Sequence, residues 1–234
     1  MAHKRLLRYL GGATLSLAQL LYQEGWGSRR ECAQLVKCGR ATGEEWYHQW
    51  SGAIYQIDGV EYTASKTLLI ALNKPFGYEC SAKPTHHPSV LELFPEPYLR
   101  RGLQPIGRLD VETEGLLLFT DDGELNHRLS HPKHHLPKTY FLETNQAWSD
   151  AEIIKLQEGV ELRQDGWVRA LSVVRRGELA IELVIEQGLY HQVRRMAAAL
   201  GKTCTRLIRL GYGPWNLAAL YLQSGEWTHL ELTD

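Results

Sequence analysis

Cysteine is scarce in this chain, and its four copies, Cys32, Cys38, Cys80 and Cys204, include no Cys-x-x-Cys pair. That spacing implies neither a zinc site nor a disulfide framework and points to reduced thiols in the cytosol. Long apolar runs are also missing: no stretch approaches the roughly 18 residues of a membrane span, so no membrane partner is expected. The start, Met1-Ala2-His3-Lys4-Arg5-Leu6-Leu7-Arg8, is basic but lacks a sustained apolar region and a small-residue cleavage site, which argues against a signal peptide. Net charge is lacking too. A formal −1 and a pI near 6.8 argue mildly against a nucleic-acid partner.

What is present changes that reading. Between Asn126 and Leu142 there is no acid, while Arg128, Lys133 and Lys138 stand among His127, His131, His134 and His135. Between Gln187 and Tyr212 there is again none, against Arg194, Arg195, Lys202, Arg206 and Arg209. Two acid-free basic segments in a neutral chain suggest a localised anionic ligand. With 44% hydrophobic and 23% charged residues, 234 residues suffice for one sizeable domain and a small one.

Residues Thr14 to about Tyr62 read as the small one. Leu15, Leu17, Leu20 and Leu21 have helical spacing, and Gly25 and Gly27 end that helix. Ser28-Arg29-Arg30-Glu31 predicts a capping box opening a second helix, which Gly39 stops. Arg29, Arg30 and Lys37 then fall on or near an exposed face, with Arg40 just beyond. Ala53 to Val60 reads as a strand. By pattern alone this is a solvated basic helix face. Gly-x-x-Ser-Arg-Arg-Glu-x-x-x-Leu-Val-x-x-Gly-Arg is, however, similar to the S4 RNA-binding domain. That resemblance implies that Arg29, Arg30, Lys37 and Arg40 meet phosphates, contacts that position RNA without reading its sequence. The usual Arg-Leu-Asp-Lys opening is absent, and Glu44-Glu45-Trp46-Tyr47-His48 replaces the expected strand and turn.

Chemistry points to Gly107-Arg108-Leu109-Asp110-Val111-Glu112-Thr113-Glu114-Gly115. A Gly-initiated loop presents Arg108 and Asp110, and Leu116 to Thr120 follows as a buried strand closed by Asp121-Asp122-Gly123. Charged groups on a loop pinned to a core strand suit function, although a decorated turn would look the same. Gly-Arg-Leu-Asp-x-x-Thr-x-Gly-Leu-Leu-Leu-x-Thr-Asp-Asp-Gly resembles the signature loop of the pseudouridine synthases, specifically the branch that modifies ribosomal RNA and carries an N-terminal S4-like domain. Other segments resemble the family's motifs in order. They are Asn73-Lys74-Pro75-x-Gly77 after the apolar strand Leu68 to Leu72, then Lys138-x-Tyr140, then Gly188-x-x-His191-Gln-Val-Arg194-Arg195-Met196, then Leu207-x-Arg209-x-x-x-Gly213. Gln187 stands where Glu is usual, and Leu189 where a cation is common.

The resemblance implies an α+β protein. An S4-like domain covers 1–62 with a short N-terminal extension, 63–67 form a linker, and a catalytic domain with a largely antiparallel or mixed sheet flanked by helices covers 68–234. Helices are predicted over Glu124–Leu129 and Ser149–Glu158. By the same resemblance Asp110 is the catalytic carboxylate, paired with Arg194. It serves as nucleophile, as stabiliser of a positively charged sugar, or in proton abstraction. Tyr140 lies against the target uracil, with Leu109 and Leu207 in the pocket; without the signature loop, Tyr140 would read as a core tyrosine. Arg108 fills the gap left by a flipped base. Lys74, Lys138, Arg195 and Arg209 join the RNA-binding set, Lys74 chiefly as structural support. No metal and no cofactor are implied: His86-His87 lacks a second ligand pair, and Pro132 and Pro137 make the histidine-rich 131–140 segment an extended loop.

The expected partner is ribosomal RNA or a small-subunit assembly intermediate, bound by a cytoplasmic monomer. His87-Pro-Ser-Val90 and His131-Pro-x-His134-His135-x-x-Lys138-Thr-Tyr140 resemble the members that act on small-subunit (16S) rRNA more than those acting on 23S rRNA. Two alternatives stay open. A glycosidase would pair Asp110 with Glu112 or Glu114, and a non-catalytic S4-type binding protein would carry an inactive synthase domain.

Overall fold

The computed structural model describes residues 14–47, 50–131 and 136–231. The N-terminal extension before Thr14, His48 and the Pro132–His135 part of the histidine-rich loop lie outside these. Among the described residues no helix is long and apolar enough to cross a membrane.

The chain divides into two compact units, one reaching to Leu68 and including Phe94–Leu103, the other made of the rest. In the first, β1 (Leu15–Ser16) leads into α1 (Leu17–Gln23) and α2 (Arg29–Lys37). Both helices open on capping boxes, Ser16 with Gln19 and Ser28 with Glu31, which satisfy otherwise orphaned N–H donors. A second sheet joins β2 (Ala41–Gly43), β4 (Ile54–Ile57) and β5 (Val60–Thr63), while β3 (Trp46–Tyr47) pairs with β1. The single strand expected over Ala53–Val60 is instead a hairpin. Asp58 and Gly59 both have positive φ, +50° and +80°, as the tight turn between right-twisted strands requires. Leu15, Leu17, Leu20, Leu21, Cys32 and Tyr47 form the core of this unit.

One helix of the unit comes from elsewhere in the sequence. α3 (Glu96–Arg100) and its flanks pack here because Arg101 and Glu24, both nearly inaccessible, meet at 3.0 Å. Arg101 also donates to the carbonyls of Ser65 and Lys66 at 2.8 and 3.2 Å. Removing either partner would leave a buried charge uncompensated. The expected uninterrupted 68–234 domain is corrected accordingly: Phe94–Leu103 belongs with the N-terminal unit, and Thr63 belongs to a strand rather than a linker.

The second unit is built on a nine-stranded mixed sheet in the order β12-β13-β9-β14-β8-β6-β16, with β7 and β15 beside β8 and β14. Its strands in chain order are β6 (Leu69–Lys74), β7 (Gln104–Ile106), β8 (Thr113–Thr120), β9 (Lys138–Thr144), β12 (Ser172–Arg175), β13 (Ala180–Ile185), β14 (Cys204–Tyr212), β15 (Trp215–Asn216) and β16 (Trp227–His229). A separate hairpin, β10 (Val160–Leu162) with β11 (Gly166–Val168), stands apart from it. The helices are α4 (Gly123–Ser130), α5 (Asp150–Glu158), α6 (Gln192–Ala199) and α7 (Leu217–Leu220).

β8 is the spine. Leu116, Leu117, Leu118 and Phe119 are wholly inaccessible, because the strand is covered on both faces and so reads as one apolar run. β6 runs antiparallel along one side of it. On the other side β14 runs parallel to Thr113–Gly115, and β7 runs antiparallel to Leu118–Thr120. The parallel contact is close: a Cβ at Gly115, whose φ is +100°, would sit 2.3 Å from the Arg209 carbonyl oxygen. Only glycine tolerates that place. The site is assembled where β8 begins.

Candidate active site

The loop from Gly107 to Glu112 connects β7 to β8 and is held from inside. Leu109 is buried, and its N–H points at the Cys80 sulfur, 3.4 Å away. The N–H of Gly77 donates to the Val111 carbonyl at 2.9 Å, and that of Thr113 to the Asp110 carbonyl at 3.0 Å. Beneath the loop, at the end of β6, lies the fully buried Lys74. Its ammonium donates to the carbonyls of Pro75, Val111 and Thr113 at 3.0, 3.2 and 2.9 Å. Leu109 therefore points inward, while Arg108 is exposed and Asp110 half-exposed.

The start of α6 supplies the facing wall. His191 Nε2 is 3.2 Å from Asp110 Oδ1. Arg194 meets Glu112 twice, Nη1 to a carboxylate oxygen at 3.2 Å and Nη2 to the backbone carbonyl at 3.4 Å. Arg206 on β14 takes Glu114 at 3.1 Å. The pairing of Arg194 with Asp110 expected from sequence is thus corrected. His191 is the left-handed cap before α6 and Arg194 lies in its first turn, while Asp110 to Thr113 forms a turn closed by the Thr113 N–H on the Asp110 carbonyl. Across these two segments histidine meets aspartate and arginine meets glutamate. The direct contact of His191 escaped sequence reasoning, although its place in His191-Gln-Val-Arg194 was the signal. Gln187, one of the two motif departures, accepts from the buried Gln192 at 3.2 Å, so it helps fix the helix start.

Tyr140 and Leu207 come to this region by strand register. Tyr140 on β9 is paired with Arg209 on β14 and with Leu183 on β13. Leu207 is paired with Leu142 and, across the parallel contact, with Thr113. Directly paired residues share a sheet face, so the tyrosine and leucine line one buried surface beside the loop.

Several expected RNA-binding cations are engaged elsewhere, which corrects their assignment. Lys74 has three ammonium donors and three backbone acceptors, leaving none for phosphate; burial also pushes its pKa down. Arg209 is buried, donates from Nε to the Leu116 carbonyl at 2.7 Å and lies over the Tyr212 ring. Lys138 donates to the carbonyls of Leu136 and Glu186 at 2.8 and 2.9 Å. Burial first, then the nearby Arg209, brings its pKa down to about 8. Arg195 is held by Asp165 at 2.6 Å and by the carbonyls of Tyr190 and Arg163. By contrast Arg29, Arg30 and Lys37 on α2 are exposed, as is Arg40, whose guanidinium makes a two-pronged pair with Asp58 at 2.8 and 2.6 Å.

The chain is similar to several known proteins. The family described as RNA pseudouridylate synthase matches residues 68–199. A protein of Aquifex aeolicus named "Uncharacterized RNA pseudouridine synthase" is 33% identical over 213 residues, 87% of either chain. "Ribosomal small subunit pseudouridine synthase A" of Vibrio parahaemolyticus is 38% identical over 191 residues, 78% of this chain and 82% of that one. The Escherichia coli protein of the same name is 38% identical over 149 residues, covering 63% of this chain and 64% of its own. A solved pseudouridylate synthase superposes with a TM-score of 0.66 at 29% identity, over 93% of this chain and 96% of that one.

Proposed function

The chain belongs to the RNA pseudouridylate synthase family, and we propose that it isomerises one uridine of small-subunit ribosomal RNA with Asp110 as the catalytic carboxylate. The single observation that carries the residue assignment is Asp110 itself, half-exposed on a loop whose backbone is pinned from below by Lys74 and Gly77. The substrate assignment rests on the names of relatives such as the Vibrio protein.

The reaction breaks the bond from N1 of uracil to C1′, turns the base, joins C5 to C1′ and moves the C5 hydrogen to N1. The base must first leave its stack, at a cost of a few kcal/mol. The exposed Arg108 fills the vacated space and meets the neighbouring phosphates. Tyr140 and Leu207 receive the uracil, and Asp110 stabilises or traps the electron-poor sugar carbon. No step calls for a metal or a cofactor. In the first unit, α2 with Arg29, Arg30 and Lys37 acts as an S4-like grip on RNA phosphates.

The glycosidase alternative would need a second carboxylate free to give a proton. Glu112 and Glu114 instead each sit against an arginine, Arg194 and Arg206. The test is pseudouridine mapping after incubation with protein-free small-subunit rRNA, partly assembled small subunits and large-subunit rRNA, with Asp110→Asn alongside. One new small-subunit site is expected with the unaltered protein and none with Asp110→Asn, which should still bind RNA. Turnover by Asp110→Asn would remove Asp110 from its role. A large-subunit site would move the substrate, and binding without any turnover would favour the non-catalytic alternative.

A further inference from the structure

We infer that His191 is the positioning residue for Asp110, donating from Nε2 to one carboxylate oxygen so that the other is aimed at the substrate. This rests on the reading of Asp110 as the catalytic carboxylate. The contact is direct, 3.2 Å from Nε2 to Oδ1, and Arg194, one helical turn further on, is engaged with Glu112 instead.

The imidazole is held in place by means other than this contact. His191 sits at φ +50° and ψ 30°, left-handed backbone that is uncommon outside glycine, at the cap of α6. Such conformations persist only where the surroundings over-determine them, and they gather at functional sites. Here the surroundings are specific. The His191 carbonyl accepts the Arg195 N–H at 2.9 Å, and the Arg195 side chain takes the preceding carbonyl, that of Tyr190, at 3.1 Å. The Tyr190 ring stacks on the imidazole with centroids 3.9 Å apart and planes 17° apart. Stacked on one face and anchored at its backbone, the ring keeps Nε2 on the side of Asp110.

A histidine does this differently from an arginine. One ring N–H reaches one carboxylate oxygen, whereas a guanidinium fork would take both. Glu112 and Arg194 match each other, and Arg195 is matched by Asp165, so the carboxylate against the ring is that of Asp110.

The experiment is single-turnover pseudouridine formation with His191→Gly and His191→Asn, RNA affinity measured beside it, and Asp110→Asn as control. Both replacements tolerate left-handed backbone, so folding is expected to survive, and thermal melting checks that. His191→Gly should slow the step by about tenfold or more, while RNA affinity stays within about twofold. His191→Asn, which keeps an N–H donor, should recover part of the rate. A wild-type rate in His191→Gly, no recovery in His191→Asn, or a loss of RNA affinity equal to the loss of rate would overturn the inference. If Asp110→Asn is inactive while His191→Gly is not, only the role of His191 fails. If Asp110→Asn turns over, the reading beneath it fails.

Discussion

Arg30 and Lys74 carry the same charge and do opposite work. Arg30, with Arg29 and Lys37, lies exposed on α2 of the first unit, where a cation is a surface group open to an anion. Lys74, with Arg209 and the half-buried Lys138, lies inside the second unit with its hydrogens on backbone carbonyls. A long basic side chain under a loop is a bracket for that loop, whereas the same side chain on a helix face is a contact for phosphate. Residue type and local charge do not distinguish the two; the acceptors within reach do.

The strongest way to break the comparison is to remove the charge from inside. Lys74→Met keeps the apolar stem but takes the ammonium donor from the carbonyls of Pro75, Val111 and Thr113, leaving Val111 only the Gly77 N–H. It should cost roughly 3–5 kcal/mol of stability, read from urea unfolding. Activity should fall further than RNA affinity, since the loop carrying Asp110 loses its support. Unchanged stability would mean that Lys74 is no bracket.

Removing the outer charges should do the reverse. Arg29→Ala with Arg30→Ala should leave unfolding unchanged and weaken RNA binding by roughly tenfold. The salt slope should shrink by about 1.4 if both arginines meet single-stranded phosphates. An unchanged slope would show that α2 does not grip RNA.

The smallest effect belongs to Lys138. Its pKa in the folded protein is brought down to about 8, against 10.5 for an ordinary lysine. Between those values the unfolded chain binds more protons than the folded one, so this group's contribution to stability rises with pH. Urea midpoints of wild type and Lys138→Met at pH 7 to 10 should diverge upward for wild type above pH 8. Parallel curves would place Lys138 among the solvated cations.

Much of this was legible in the sequence because its cause is local. The capping box of Ser28 and Glu31 and the helix after Ser149 are both present, since a cap and its third residue define a helix start without outside help. The Asp58-Gly59 hairpin was equally local; its turn signal was there, but the apolar residues on either side read as one strand. The buried run of β8 and the loop before it also declared themselves.

The chain alone thus determined its family, the apolar strands of the core and the loop that presents Asp110, because these follow from short-range pattern and from motifs in order. Only the tertiary structure decided which charge meets which. The Glu24–Arg101 pair joins residues 77 apart and draws α3 into the first unit. The meeting of α6 with the loop before β8 put His191 on Asp110 and Arg194 on Glu112. An ion pair depends on register to within one residue between distant segments, and that register is set by how the elements pack rather than by any residue in either of them.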